Sequence, residues 1–157
     1  MKFIKIIPLV ILSAIIILSC DKNSDPLSPD IPNEIYSKSG KVDSIAMSEI
    51  GYKSKDSSFF TSGYDFIDLD SITVKFTYSK KGSAAIPVQI ISPRGVGVYD
   101  VLYAVNDTVK AEHNVTINKR VLSPKRIATI GYSIRAEKSY EDDFGYVTIY
   151  DVAITRN

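Results

Sequence analysis

The chain has 157 residues, with 19 lysines and arginines against 18 aspartates and glutamates and a formal net charge of +1. This length is typical of a single domain, and the balanced charge gives no electrostatic reason to expect nucleic acid as a partner. Cys20 is the only cysteine, which excludes an internal disulfide and a zinc site made of several thiolates.

The first residues have the pattern of an export signal. Lys2 and Lys5 open the chain, and an apolar run continues from there to Leu18. A basic start followed by about a dozen apolar residues is typical of a secretory signal, whereas a membrane span needs roughly 20. We therefore predict a signal peptide over 1–19. Its loss removes two of the 19 basic residues, which leaves 17 against 18 acidic ones and a formal charge of −1.

The end of this run reads Ile17-Leu18-Ser19-Cys20. It resembles the lipobox of bacterial lipoproteins, in which an aliphatic and a small residue precede an obligatory cysteine. The resemblance implies that the thiol of Cys20 carries diacylglycerol, that the signal is cut before it, and that the new amino terminus is acylated. Two or more acyl chains anchor a protein firmly to a membrane. The expected location is the bacterial cell envelope, with the outer membrane favoured over the inner one.

Residues 20–40 are rich in proline and polar side chains. Pro26, Pro29 and Pro32 recur at every third position, and no helix or strand period is present. Proline fixes φ and removes a backbone donor, so we predict a disordered, semi-extended tether that reaches at most ~70 Å. The folded domain is then expected over 41–157.

From residue 41 onward the sequence has the alternation typical of β-strands. Between Ile72 and Tyr78, apolar residues occupy every second position and threonines or lysine the others, and 130–136 alternates in the same way. Further strands are predicted at 42–47, 87–91, 98–105, 114–118 and 146–155. In the last of these the apolar phase shifts, which predicts a β-bulge beside Asp151.

Seven or eight strands in about 117 residues predict an all-β domain, a two-sheet antiparallel β-sandwich. A jelly-roll-like sandwich is one topology that this strand count allows. The strand count alone also allows an immunoglobulin-like sandwich, so the two topologies remain alternatives at this point.

Two segments, 66–78 and 146–154, are similar to strands of jelly-roll carbohydrate-binding and galactose-binding-like modules. The first has an aromatic residue and an acidic turn before an alternating run that ends in an aromatic, and the second places Asp151 between aliphatic residues. The resemblance implies a jelly roll on which exposed Trp or Tyr side chains form a stacking platform for sugars. The chain has ten tyrosines and no tryptophan, and no individual binding residue is assigned.

His113 is the only histidine, and it follows Glu112. One imidazole without a second histidine or a cysteine is a poor zinc site, and a nucleophilic triad needs a third group that orients the histidine. No catalytic residue is therefore nominated. We predict a surface histidine at the edge of a loop.

Two loops carry several carboxylates. Asp142 and Asp143 lie in a loop that contains glycine, and Asp65, Asp68 and Asp70 crowd another. Calcium takes six to eight oxygen ligands, so Asp142 and Asp143 are the candidates for a structural calcium, while solvated acidic turns explain the same residues. No other cofactor is expected.

Three basic pairs are predicted to lie in turns, where they would keep strand edges soluble: Lys80-Lys81, Lys119-Arg120 and Lys125-Arg126. They would form a polyanion-binding face only if all three converged.

Three triplets begin at Asp43, Asp70 and Asp107 and have the form Asp-Ser/Thr-aliphatic. They resemble the motif that one Gram-negative phylum O-glycosylates on exported proteins. Strand entry after an aspartate turn explains the same pattern.

The sequence thus predicts a lipid-anchored protein of the cell envelope with a non-enzymatic binding or adhesion β-sandwich, for which carbohydrate is one candidate ligand. The alternative is a structural or accessory subunit whose edge strand pairs with an envelope protein complex, and a small hydrolase is a distant third. The expected partners are the membrane, through the lipid, and a glycan or an envelope protein.

Overall fold

The computed structural model describes residues 33–157, which form ten β-strands. Within this range no helix is long and apolar enough to cross a membrane. In chain order the strands are β1 (Glu34–Met47), β2 (Gly51–Ser58), β3 (Tyr64–Asp65), β4 (Ser71–Lys81), β5 (Val88–Gly95), β6 (Val98–Ala104), β7 (His113–Leu122), β8 (Ile127–Ala128), β9 (Gly131–Lys138) and β10 (Gly145–Arg156).

Eight long strands form two antiparallel four-stranded sheets, and the two-residue strands β3 and β8 pair with each other. Sheet A has the order β1-β10-β4-β7, and sheet B has the order β2-β9-β5-β6. With the long strands numbered one to eight, these orders are 1-8-3-6 and 2-7-4-5. This is the jelly-roll arrangement of two nested Greek keys, so the fold is an all-β jelly-roll sandwich and the immunoglobulin-like alternative is wrong.

The inner faces of the two sheets share one hydrophobic core. Phe76 and Ile149 of sheet A and Ile90 and Ile134 of sheet B are fully buried and belong to the same cluster. Full burial of one such side chain contributes about 1.5–3 kcal/mol to the free energy of unfolding. The core therefore holds the domain together without a disulfide.

The predicted strands at 72–78, 98–105 and 146–155 correspond to β4, β6 and β10. The domain boundary predicted at residue 41 is wrong, because β1 begins at Glu34 and pairs with the end of β10. Residues 34–40 are mainly polar because β1 is an edge strand, and their strand conformation comes from pairing with β10 rather than from an apolar pattern. The other part of the predicted tether, 20–32, lies outside the residues that the structure describes.

The β-bulge predicted beside Asp151 is confirmed. The register between β10 and β4 shifts between Tyr150 and Ala153, and Asp151 has a φ of 49°. The Asp151 carboxylate also accepts a hydrogen bond of 2.7 Å from the Gly40 N–H, which joins β1 to the bulge.

The sandwich has two ends, which the pairing of the strands defines. Asn33 lies at the end that carries the connections 59–63, 66–70, 96–97 and 123–126, because its carbonyl accepts a hydrogen bond of 2.8 Å from Arg156, the last residue of β10. We call this the tether end. The connections 48–50, 82–87, 105–112 and 139–144 lie at the opposite end, which we call the loop end.

Candidate functional site

The outer face of sheet B carries a row of mainly polar side chains that crosses all four strands. The register places Asp56 opposite Ser133, Ser133 opposite Gln89, and Gln89 opposite Ala104. The residues on either side of Gln89 and Ser133, such as Ile90 and Ile134, point into the core. Because side chains alternate across a strand and strands lie about 4.8 Å apart, the row faces outward and spans roughly 15 Å.

Small side chains in this row leave a groove along the sheet. One hollow has a volume of about 200 Å³, and it is lined by Ser54, Asp56, Ile86, Gln89, Tyr99, Ser133 and Arg135. A second hollow of about 190 Å³ shares Asp56 and Tyr99 with the first and continues towards Pro93 and Val98. Because the two hollows share two lining residues, they are adjacent, and we call them together the sheet B groove.

The sheet B groove combines a tyrosine ring with charged and amide side chains. Tyr99 is 36 % exposed on the edge strand β6. The guanidinium carbon of Arg135 lies 4.4 Å from the centroid of the Tyr52 ring, and its Nη2 lies 3.2 Å from Glu137 Oε2. These two contacts hold Arg135 in place beside the groove. An aromatic ring with convergent donors and acceptors suits a polar ligand that also has an apolar face, such as a sugar.

Sequence reasoning did not nominate any residue of the sheet B groove. The sequence does not predict strand β2, because six of its eight residues are lysine, serine or aspartate and these lie on both faces. Its outward residues Ser54 and Asp56 lie in the same sheet as β9 and β5 only because β2 pairs with β9 and β9 pairs with β5. The signal that could have pointed to the groove was the polar alternation around Ser133 and Arg135, within a run already predicted as a strand.

A second cluster of polar groups lies buried at the loop end. Asp107 Oδ2 accepts hydrogen bonds from the Tyr78 hydroxyl at 2.5 Å and from His113 Nε2 at 2.8 Å. The Lys80 Nζ lies 3.5 Å from Asp107 Oδ1 and donates to the Asp107 carbonyl. Lys80 has no exposed surface and Asp107 is 8 % exposed, so this is a buried ion pair.

The structure places His113 at the first position of β7, at the edge of the β6–β7 connection, with its side chain 24 % exposed. Its Nδ1 lies 2.8 Å from the Ala111 carbonyl and its Nε2 faces Asp107, so both ring nitrogens are engaged. The imidazole is therefore a partly exposed member of the loop-end cluster. A general base needs a free nitrogen near its substrate, so this geometry does not support a catalytic role.

Burial and charge shift the ionisation of the cluster. Burial alone would raise the pKa of Asp107, but hydrogen bonds from Tyr78, His113 and the Val109 N–H, with the charge of Lys80, bring it below its ordinary value. Burial lowers the pKa of Lys80, and Asp107 offsets part of that change. Burial and the Asp107 carboxylate raise the pKa of Tyr78.

The predicted role of the basic pairs as turn residues is wrong for two of the three. Lys80 is buried because Phe76, Tyr78 and Lys80 alternate onto the same inner face of β4. Lys119 and Arg120 lie within β7, and only Lys125-Arg126 lies in a connection. The three pairs therefore do not form one basic face.

The calcium candidates are in the β9–β10 loop. The Oδ2 of Asp142 accepts hydrogen bonds from the Ser83 hydroxyl and from the Ser139 hydroxyl and N–H, at 2.8 and 2.9 Å for Ser139. Asp143 is exposed. Among residues 33–157 no three histidine, cysteine or acidic side chains are placed to hold a metal. Asp142 instead joins the β9–β10 loop to Ser83 in the β4–β5 connection.

The same contacts predict how stability depends on pH. Hydrogen bonds from Ser83 and Ser139 lower the pKa of Asp142 to about 2, below the value near 3.9 of an unfolded aspartate. The stabilisation is therefore complete above about pH 5 and is lost as the pH falls towards 2. We expect Asp142→Asn to lower the midpoint of urea unfolding at pH 7. At pH 2 the difference in midpoint between this variant and the wild type should be smaller than at pH 7. Asp143→Asn is the control, and an equal effect of both variants would contradict the assignment.

The Asp-Ser/Thr-aliphatic triplets differ in accessibility. Ser71 is 5 % exposed and accepts a hydrogen bond from Arg120, whereas Thr108 is exposed in the β6–β7 connection. Of these two hydroxyls, Thr108 is the one that a modifying enzyme could reach in the folded protein. The modification itself stays a prediction, as does lipidation of Cys20, which lies outside the described residues.

The fold and groove define a jelly-roll sandwich with a polar depression on one outer sheet face. No protein-family model matches the chain, and no curated protein matches it. Among solved structures, one match is a chain from the structure of infectious bursal disease virus Gt strain, with 13% sequence identity and a TM-score of 0.39. The match covers 78% of this chain and 33% of the viral chain, so this chain spans about a third of that protein's length.

Proposed function

We propose that this protein is a lipid-anchored component of the bacterial cell envelope, and that its jelly-roll domain is a non-enzymatic module that binds carbohydrate in the sheet B groove. The lipobox-like segment that ends at Cys20 supports the anchor. The observation that carries the binding role is the groove itself, where Tyr99 lies in the same depression as Asp56, Gln89 and Arg135. The outer membrane is the favoured location.

The composition of the groove matches the demands of a sugar. The ring of Tyr99 offers an apolar face for the C–H face of a pyranose. Asp56 and Gln89 offer acceptors for hydroxyl groups, and Arg135 and Gln89 offer donors. A hollow of about 200 Å³ is small, so recognition would extend over neighbouring units of a glycan chain along the groove.

We expect Tyr99→Ala to weaken glycan binding at least about tenfold, which corresponds to about 1.4 kcal/mol. The measurement is a glycan array of the mature protein followed by titration calorimetry with the best ligand. Tyr140→Ala is the matched control, because Tyr140 is 88 % exposed and lies on the loop end, away from the groove. Equal binding by both variants would contradict the site, and the absence of any glycan signal would contradict the ligand class.

The proposed anchor has its own test. Cys20→Ala should release the protein from membranes to the soluble fraction, and the intact mass of the wild-type protein should exceed that of the processed polypeptide by the mass of its acyl chains. A wild-type protein without added acyl mass would contradict the proposed anchor and leave the groove unaffected.

The structure of sheet B also supports the alternative, an accessory subunit of an envelope complex. Within residues 33–157, strand β6 is an edge strand whose one pairing partner is β5, and its Val98 and Val101 are 57 % and 49 % exposed. An open edge of this kind can accept a strand from another protein. Capture of one stoichiometric protein partner, lost on replacing Val101 with lysine and without any glycan signal, would favour this function.

A further inference from the structure

The most exposed aliphatic side chains of the domain share one location. Val96, Leu122 and Ile127 are 104 %, 79 % and 66 % exposed, more than any other large aliphatic side chain in residues 33–157. All three belong to the connections and strand ends of the tether end. Ile67, which is 51 % exposed, lies there as well.

Hydrogen bonds place these residues in one region. The Phe66 N–H donates to the Arg126 carbonyl at 3.2 Å, which brings together the two chain segments that carry Ile67 and Ile127. Ser123, next to Leu122, donates from its hydroxyl to the Leu69 carbonyl in the same turn. Arg126 Nη2 also donates to Ser92 Oγ at 2.9 Å, which joins this region to the β5–β6 hairpin that carries Val96.

Ion pairs neutralise much of the charge around these side chains. Asp100 pairs with Arg94 at 2.8 Å and with Arg126 at 3.1 Å, and Asp70 pairs with Lys125. Asp65 and Asp68 are exposed there, and so are Lys119 and Arg120. The tether end is therefore close to balanced in charge, and it carries the three most exposed large aliphatic side chains of residues 33–157.

The length of the chain before the domain limits how far this end can be from the membrane. Twelve residues, 21–32, separate Cys20 from Asn33, and that many residues reach at most about 40 Å when fully extended. A short connection keeps the tether end at a high effective concentration at the bilayer surface. Clustered exposed aliphatic side chains mark an interaction surface, and the bilayer is the apolar partner nearest to them.

We propose that the tether end of the domain is a second membrane contact, in which Val96, Leu122 and Ile127 insert into the interface of the phospholipid bilayer while the lipid on Cys20 provides the anchor. This inference rests on the proposed lipid anchor. The contact would hold the sandwich upright on the membrane, so that the loop end points away from it and the sheet B groove stays open at the side.

The test uses the lipidated protein in vesicles of phosphatidylcholine and phosphatidylglycerol. Cys20 is the only native cysteine and its thiol would carry the lipid, so a single introduced cysteine can be labelled with an environment-sensitive fluorophore. We expect the label in Leu122→Cys to shift its emission to the blue and to be quenched by brominated lipid. The label in Tyr140→Cys, at the loop end, should show neither effect.

A label at a second position tests the membrane contact independently of the label at position 122. The label in Val96→Cys should also be quenched by brominated lipid, and Ile127→Asp combined with Leu122→Asp should abolish that quenching without changing the melting temperature. Labels at both ends that remain unquenched on protein that floats with the vesicles would overturn this proposal and leave the anchor intact. Protein that does not float with the vesicles would overturn the anchor and this proposal together.

Discussion

Replacing Asp107 with alanine should lower the free energy of unfolding by about 3–5 kcal/mol, which is a large part of the 5–15 kcal/mol typical of a domain. The change leaves the ammonium group of Lys80 fully buried without its counter-charge. It also removes the acceptor of the Tyr78 hydroxyl and of His113 Nε2. Urea unfolding at pH 7, followed by circular dichroism, measures the loss.

Two further variants separate the buried charge from a general effect of losing an aspartate. Asp143→Ala removes an exposed carboxylate from the loop end and should change the free energy of unfolding by less than about 0.5 kcal/mol. Adding Lys80→Met to Asp107→Ala removes the buried charge as well, so the double variant should be more stable than Asp107→Ala alone. A loss below about 1 kcal/mol in Asp107→Ala would contradict the ion pair.

The contribution of the Asp107 cluster to stability should depend on pH. The folded-state pKa of Asp107 lies below its ordinary value, so its stabilisation is present at neutral pH and is lost as the pH falls below about 4. The stability difference between the wild type and Asp107→Ala should therefore shrink in acid. If the difference in stability between the wild type and Asp107→Ala were constant from pH 7 to pH 3, the loss would come from packing and not from the charge of Asp107.

Gly82→Ala should destabilise the domain by about 3 kcal/mol. Gly82 has a φ of 108°, a backbone conformation that side chains disfavour, and an added Cβ would lie 2.5 Å from the Glu137 carbonyl oxygen and 3.0 Å from the Gly145 Cα. Both neighbours are backbone atoms of sheet strands, so neither can move aside at low cost. The expected result is a lower melting temperature in calorimetry.

Gly95→Ala is the matched control for this substitution. Gly95 lies at the end of β5, its φ is not in the positive region, and an added Cβ meets nothing within 4 Å. We expect a change within about 0.5 kcal/mol. Similar losses for Gly82→Ala and Gly95→Ala would contradict the close contact at Gly82 as the cause, because the restriction that alanine places on the unfolded chain by itself stabilises the folded state.

The sequence by itself determined the fold class, because alternation such as that of Ile72, Val74 and Phe76 has a period that only a half-buried strand satisfies. It also determined the bulge beside Asp151, where the apolar phase changes within one strand. These features are local, so they are visible in a single stretch of chain.

The tertiary structure alone decided the features that depend on pairing between distant segments. Glu34 begins a strand because β10 lies beside it, and the polar strand β2 exists because β9 offers it a partner. The buried ammonium group of Lys80 has a partner because a loop 27 residues further along the chain supplies Asp107. The sheet B groove has the same origin, since Asp56, Gln89 and Ser133 meet only through strand register. Strand pairing in a sheet brings such residues together through backbone hydrogen bonds, which most side chains allow. The residue pattern of one segment therefore does not show which distant segment it will pair with.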